Sequence, residues 1–174
     1  MQKIIKCGFI ILSFLIANTT SVNAHAGKKY IAKYKTLVAS LSKEYGIPVS
    51  IITAISVIES GAGRSRNCRL LKNHFGIIGR NNLLKTKGIK SKFKQYKTDE
   101  DSFRDFCKTI SRKKYYQKLK GNNDYKLWID AMAKAGYSTS PTIWKKEISL
   151  AIRHYKLDKI SEPIDDAIIN NSNE

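Results

Sequence analysis

Between Ser60 and Thr98 the chain has no aspartate or glutamate, although eleven lysines and arginines fall there. That stretch cannot supply a carboxylate for acid–base chemistry, and its field selects anionic partners. Cysteine is scarce, with Cys7, Cys68 and Cys107 the full set. The histidines, His25, His74 and His154, stand apart with no ligand spacing to the cysteines, so no metal centre and no cofactor are expected. The longest apolar run, Cys7 to Ala17, is too short for a comfortable membrane span. There is no internal repeat and no low-complexity tract. What remains, in 174 residues, is one domain's worth of chain, enough to bury a core.

Lys3 and Lys6 precede the short apolar run, and Val22-Asn23-Ala24 follows it as a small-x-small site. That order predicts a secretory signal peptide over residues 1–24, with cleavage after Ala24 or Ala26. Cys7 lies before the apolar run, at the wrong end for a lipid anchor. The expectation is an exported, soluble monomer in the periplasm or outside the cell, with no stable membrane insertion. Residues 25–157 hold 29 basic against nine acidic residues, a net +20. Nucleic acid, anionic lipid and a carboxylate-rich cell wall all match such a field, and export argues against an intracellular nucleic-acid role. In an oxidising compartment Cys68 and Cys107 read equally well as a disulfide or as two buried thiols.

Tyr30, Tyr34, Leu37, Leu41 and Tyr45 recur at helical spacing, predicting a helix over 28–45 that Gly46 ends. Pro48 suits the start of the next helix, which is apolar nearly all round and so central. Arg64 to Lys72 reads as a basic loop with room for a helical turn. From Asn73 to Tyr96 the glycine punctuation and weak alternation predict a β-lobe of two or three strands. Thr98 with Asp101 has capping-box spacing, which accounts for the acidic trio Asp99-Glu100-Asp101 as a helix start. Asp124 and Ser140 are placed to cap two further helices, the second with Pro141 in its first turn. From Asp158 to Glu174 the pattern dissolves into a polar tail expected to be disordered.

The chemistry concentrates at Ala54-Ile55-Ser56-Val57-Ile58-Glu59-Ser60-Gly61-Ala62-Gly63. An apolar helix ends here in a carboxylate, and glycines follow at once. Burial beside an open turn raises a carboxyl pKa toward the range a general acid needs. The surrounding positive charge pulls the other way, and the sequence does not decide between them. Taken alone, Glu59 reads first as an ordinary last-turn glutamate.

Four segments in order then resemble one family. Ile58-Glu59-Ser60-Gly61-Ala62-Gly63-Arg64-Ser65 is similar to the ALESGWGxS segment of bacterial peptidoglycan glucosaminidases, glycoside hydrolase family 73, which includes the flagellar muramidase-like domain. Asn73-His74-Phe75-Gly76-Ile77-Ile78-Gly79 resembles its NLFGIKG strand. Phe93 to Phe103 fits its FRxYxSxxESF pattern. Ala135-Gly136-Tyr137-Ser138-Thr139-Ser140-Pro141 resembles its AGYATDP loop. The resemblance covers about residues 30–157. It implies a mainly α (α+β), lysozyme-like helical domain with a small β-hairpin lobe. It also implies cleavage of the β-1,4 bond between N-acetylglucosamine and N-acetylmuramic acid in peptidoglycan glycan strands.

By the same resemblance Glu59 is the general acid. Tyr137 is the loop tyrosine that orients the acetamido group or the water. Asn73 and Phe75 shape the groove floor, and Tyr116 is an aromatic on its wall. Two departures stand out. Ala62 occupies the family's tryptophan position, and the lobe lacks the second carboxylate of many members. Three accounts stay open for that second group: the substrate's acetamido group, an acid from Asp99-Glu100-Asp101, or a transglycosylase reaction needing one acid/base. A wall-binding scaffold without turnover is the alternative of a different kind.

Overall fold

A computed structural model describes residues 20–160, and of residues 20–24 only the backbone path. The expected signal peptide lies almost wholly outside this range, as does all but the start of the expected polar tail. Among the described residues the chain forms eight α-helices and a short final 3-10 turn. These are α1 (Thr20–Tyr45), α2 (Val49–Ser60), α3 (Arg66–Leu71), α4 (Leu83–Lys87), α5 (Asp99–Ser111), α6 (Tyr116–Leu119), α7 (Tyr125–Lys134) and α8 (Pro141–Tyr155).

α2 is the axis. Nine of its twelve residues are buried, because its apolar positions face α1, α7 and α8 on different sides. Pro48 sits at its N-cap, just outside the first turn. α1 begins eight residues earlier than its apolar spacing suggests, since nothing between Thr20 and Tyr30 breaks a helix except Gly27. Gly27 is there for packing: a Cβ would lie 2.0 Å from the Tyr155 hydroxyl of α8. α5 starts with the expected reciprocal box, Thr98 Oγ1 accepting from Asp101 N and Asp101 Oδ2 accepting from Thr98 N. Asp124 caps α7 through Lys126 N, whereas Ser140 heads α8 without a side-chain cap bond. The aromatic part of the core includes Phe75 stacked on Phe106 at 4.1 Å and edge-on to Phe103.

The β-lobe does not form as a sheet. Between residues 73 and 96 one antiparallel bridge joins Ile78 and Phe93, and the expected middle strand is the helix α4. Three backbone bonds cross between the two segments, Gly79 N to Lys92 O, Lys94 N to Ile77 O and Gln95 N to Arg80 O, and asparagine side chains add to them. Asn73 Nδ2 donates to the carbonyls of Ile77 and Lys94, and Asn81 Nδ2 to those of Ser91 and Phe93. Buried carbonyls need a donor, and an amide side chain reaching across the loop serves as well as a strand. The lobe is thus a side-chain-stitched loop laid against the end of α2. Cys68 and Cys107 are both free, buried thiols.

Candidate active site

Glu59 lies in the last turn of α2, where Gly61 caps the helix in the left-handed conformation. Gly61, Ala62 and Gly63 follow with φ of 57°, 53° and 79°, so the chain turns sharply away from the carboxylate. Ser60 fastens that turn, donating to Ser56 O and accepting from Gly63 N. Ala62 takes up a conformation that costs a Cβ-bearing residue about 1–2 kcal/mol.

The residue keeps a side to solvent, but Oε1 is sealed and has no hydrogen-bond partner. Burial pushes the Glu59 pKa up to about 7. The Trp144 indole opposes the shift and the Glu147 carboxylate adds to it, both from α8. Trp144 Nε1 is itself buried and makes no other hydrogen bond of good geometry among the described residues. The surrounding lysines and arginines do not reverse the effect: burial outweighs them. On the lobe side Gly76, at φ 65°, leaves a gap in which a Cβ would sit 3.8 Å from Glu59 Oε2 and 3.9 Å from Phe93.

Tyr137 is brought to the acid. It is buried, its ring 4.9 Å from that of Trp144, and burial first, then the Glu59 charge, pushes its phenol well above the ordinary range. Tyr115 adds to that push and is half-buried on the same side. The other expected residues lie elsewhere in the packing. Asn73, 1% exposed, spends its side chain on the loop, its Oδ1 accepting from Ile77 N. Phe75 is wholly in the core. Tyr116 is buried against Trp128, its hydroxyl donating to Tyr45 O. The aromatic in ring contact with Tyr137 is Trp144, while Tyr115 and Tyr116 both pack against Trp128. Trp144, Glu147, Gly76 and Phe93 complete the surroundings. Only the contact of α2 with α8 reveals the first two, and only the packing of the lobe against the end of α2 reveals Gly76 and Phe93.

The acidic trio is engaged away from Glu59. Asp99 accepts from Tyr34 Oη at 2.7 Å, and Lys33 Nζ and His74 Nε2 lie 3.3 and 3.2 Å from it. Burial raises its pKa, but these donors more than offset that and hold it below the usual value. Glu100 pairs with Arg104, and Asp101 closes the α5 cap. His74 is 1% exposed, and burial holds it neutral, with Nδ1 2.7 Å from Tyr30 Oη. Cys68 Sγ lies 3.4 and 3.6 Å from the two ring nitrogens. Near-equal distances to both place the sulfur against the ring rather than in line with one nitrogen. With the thiol pushed up to about 11 by burial, Cys68 and His74 are no nucleophilic pair. No group of His, Cys, Asp and Glu among the described residues could hold a metal ion.

The family model for mannosyl-glycoprotein endo-beta-N-acetylglucosaminidase matches residues 35–157. The chain belongs to this glucosaminidase family. It is 27% identical to the exo-glucosaminidase LytG of Bacillus subtilis over 175 residues. That match covers 86% of the chain but only 62% of the relative's length. The catalytic domain of the autolysin Auto from Listeria monocytogenes shares its fold, with a TM-score of 0.63 and 24% identity over 82% of the chain and 89% of that domain. The glycoside hydrolase domain of FlgJ from Salmonella typhimurium does so with a TM-score of 0.59 and 22% identity, over 83% of the chain and 96% of that domain. Within this glucosaminidase frame, Glu59 with Tyr137, Trp144 and Gly76 is the candidate catalytic centre.

Proposed function

We propose that the chain is an exported peptidoglycan hydrolase that cleaves the β-1,4 bond between N-acetylglucosamine and N-acetylmuramic acid, with Glu59 as general acid. The observation that carries this is the sealed Oε1 of Glu59 and a pKa raised by burial to about 7. A carboxyl in that range is partly protonated at neutral pH and can give its proton to the glycosidic oxygen as the bond to C1 breaks. Its carboxylate can then take a proton from the incoming water.

The acetamido group of the N-acetylglucosamine unit serves as internal nucleophile: its oxygen bonds to C1 as the leaving sugar departs, and water reopens the ring. Two facts support this. The lobe has no acid, and Asp99, Glu100 and Asp101 are all engaged elsewhere. Tyr137, against Trp144, orients the acetamido group or the water. Export rests on the leader over residues 1–24, and the +20 charge of residues 25–157 suits an anionic wall.

The missing lobe carboxylate equally favours a transglycosylase, in which Glu59 first protonates the leaving oxygen and then deprotonates the muramic 6-hydroxyl. Mass spectrometry of the products separates the readings. New reducing N-acetylglucosamine ends, each with one water added, support hydrolysis. Anhydro-muramic ends replace it with the transglycosylase, and wall binding without any product leaves a scaffold.

A further inference from the structure

On the lobe, apart from the surroundings of Glu59, lies an open cavity of about 670 Å³ whose lining includes Arg69, Lys72, Arg80 and Lys97 together with Asn82 and Gln95. No acidic side chain lines it. Its cations differ from others nearby. Lys94 is paired with Asp105, and Arg104 with Glu44 and Glu100, whereas none of the four in the cavity has an ion-pair partner among the described residues. Four like charges around one concavity repel one another and destabilise the empty state, while their field concentrates anions there.

The walls are tied together. Lys72 Nζ donates to Lys97 O at 2.7 Å, Gln95 N to Arg80 O at 3.0 Å, and Tyr96 N to Leu71 O at 2.9 Å. Asn82 N donates to the Gln95 side chain at 3.1 Å. The end of α3, the turn at residues 80–82 and the segment 95–97 thus form one frame. Two guanidinium groups in it can each offer a planar pair of donors, the geometry that carboxylates and phosphates accept.

We propose that this cavity is a second binding site, for a multivalent oxyanion (phosphate or carboxylate) carried by the wall polymer, distinct from the glycan-cleaving centre. The oxyanion chemistry stands on the cavity alone, and the wall as its source rests on the function proposed above. Bound there, the anion holds the lobe against the polymer, so that affinity for the wall and chemistry on the glycan reside in different residues.

The test is a titration of the ¹⁵N-labelled protein with pyrophosphate and, separately, citrate, read from backbone amide shifts. Saturable shifts confined to residues 69–72, 80–82 and 95–97 are expected. Arg69→Gln with Arg80→Gln should weaken binding at least tenfold with an unchanged melting temperature. Lys85→Gln with Lys87→Gln removes the same charge from α4 outside the cavity and should leave binding intact. Shifts spread over the basic surface without saturation, or equal losses in both pairs, overturn the site. Sedimentation with isolated sacculi then identifies the source. Loss of the gap between wild type and the Arg pair after amidation of peptide carboxylates assigns those carboxylates, and loss after acid extraction of phosphodiester polymers assigns the phosphates. A gap surviving both treatments overturns the wall as source. None of these readouts requires turnover, so they stand or fall separately from catalysis by Glu59.

Discussion

Replacing Glu59 by glutamine should stabilise the protein at alkaline pH and do nothing for it in acid. In the unfolded chain the carboxyl ionises near 4.5, in the fold at about 7. Between those values the folded state keeps a proton that the unfolded state has released, so stability falls as pH rises. Below 4.5 both states hold the proton and there is no cost; above 7 the cost is complete. The gap corresponds to about 3 kcal/mol, trimmed to about 2–3 kcal/mol by the solvent on one side of the residue. Glutamine has the shape of the protonated acid and never ionises. For a domain of this size the effect is a gain of about 5–10 °C in melting temperature at pH 8.5 relative to pH 4. The assay is thermal or urea unfolding of both proteins at the two pH values, with the difference between them as the readout. A difference that does not change with pH, or that grows in acid, would refute burial as the cause of the raised pKa.

Three further outcomes follow from the same geometry. Glu147→Gln removes the charge that adds to the Glu59 shift and should move the alkaline limb of kcat/KM to lower pH; Trp144→Phe removes the opposing indole and should move it higher. Both limbs moving together would disconnect α8 from the acid. Gly76→Ala forces a side chain into a left-handed backbone beside Glu59 Oε2, which should cost about 1–2 kcal/mol of stability by urea unfolding and lower kcat. Tyr116→Phe should lose about 1 kcal/mol through the Tyr45 carbonyl with kcat/KM unchanged; a fall in kcat/KM at unchanged stability would restore Tyr116 to the groove.

Much of this was legible in residue order. A nearly all-apolar helix ending in glutamate and glycine marks the axis of the fold and the end at which Glu59 sits, because an apolar run and a helix stop are local properties. The α5 cap was equally local, needing only Thr98 and Asp101 at the right spacing. What escaped was non-local. Trp144 reads as one more inward residue of α8, and its place beside Glu59 exists only once α2 and α8 pack. Tyr115 and Tyr116 are adjacent at a helix start, and no periodicity in so short an element says that both rings pack against Trp128. Asn73 matches a groove-floor motif, yet its amide is taken up by carbonyls of the loop. In the lobe only the pairing around Ile78 and Phe93 formed, and a strand pattern cannot foresee that the amides of Asn73 and Asn81 would join the backbone donors on the loop's carbonyls.

The central claim is that a single buried carboxyl does the acid–base work while wall affinity resides elsewhere. Its most direct test measures muropeptide release from purified peptidoglycan by wild type and Glu59→Gln, alongside the sedimentation of each with the same sacculi. The account predicts release reduced by roughly a hundredfold to ten-thousandfold, the contribution of a positioned general acid, with binding unchanged. Release by Glu59→Gln within tenfold of wild type would contradict it.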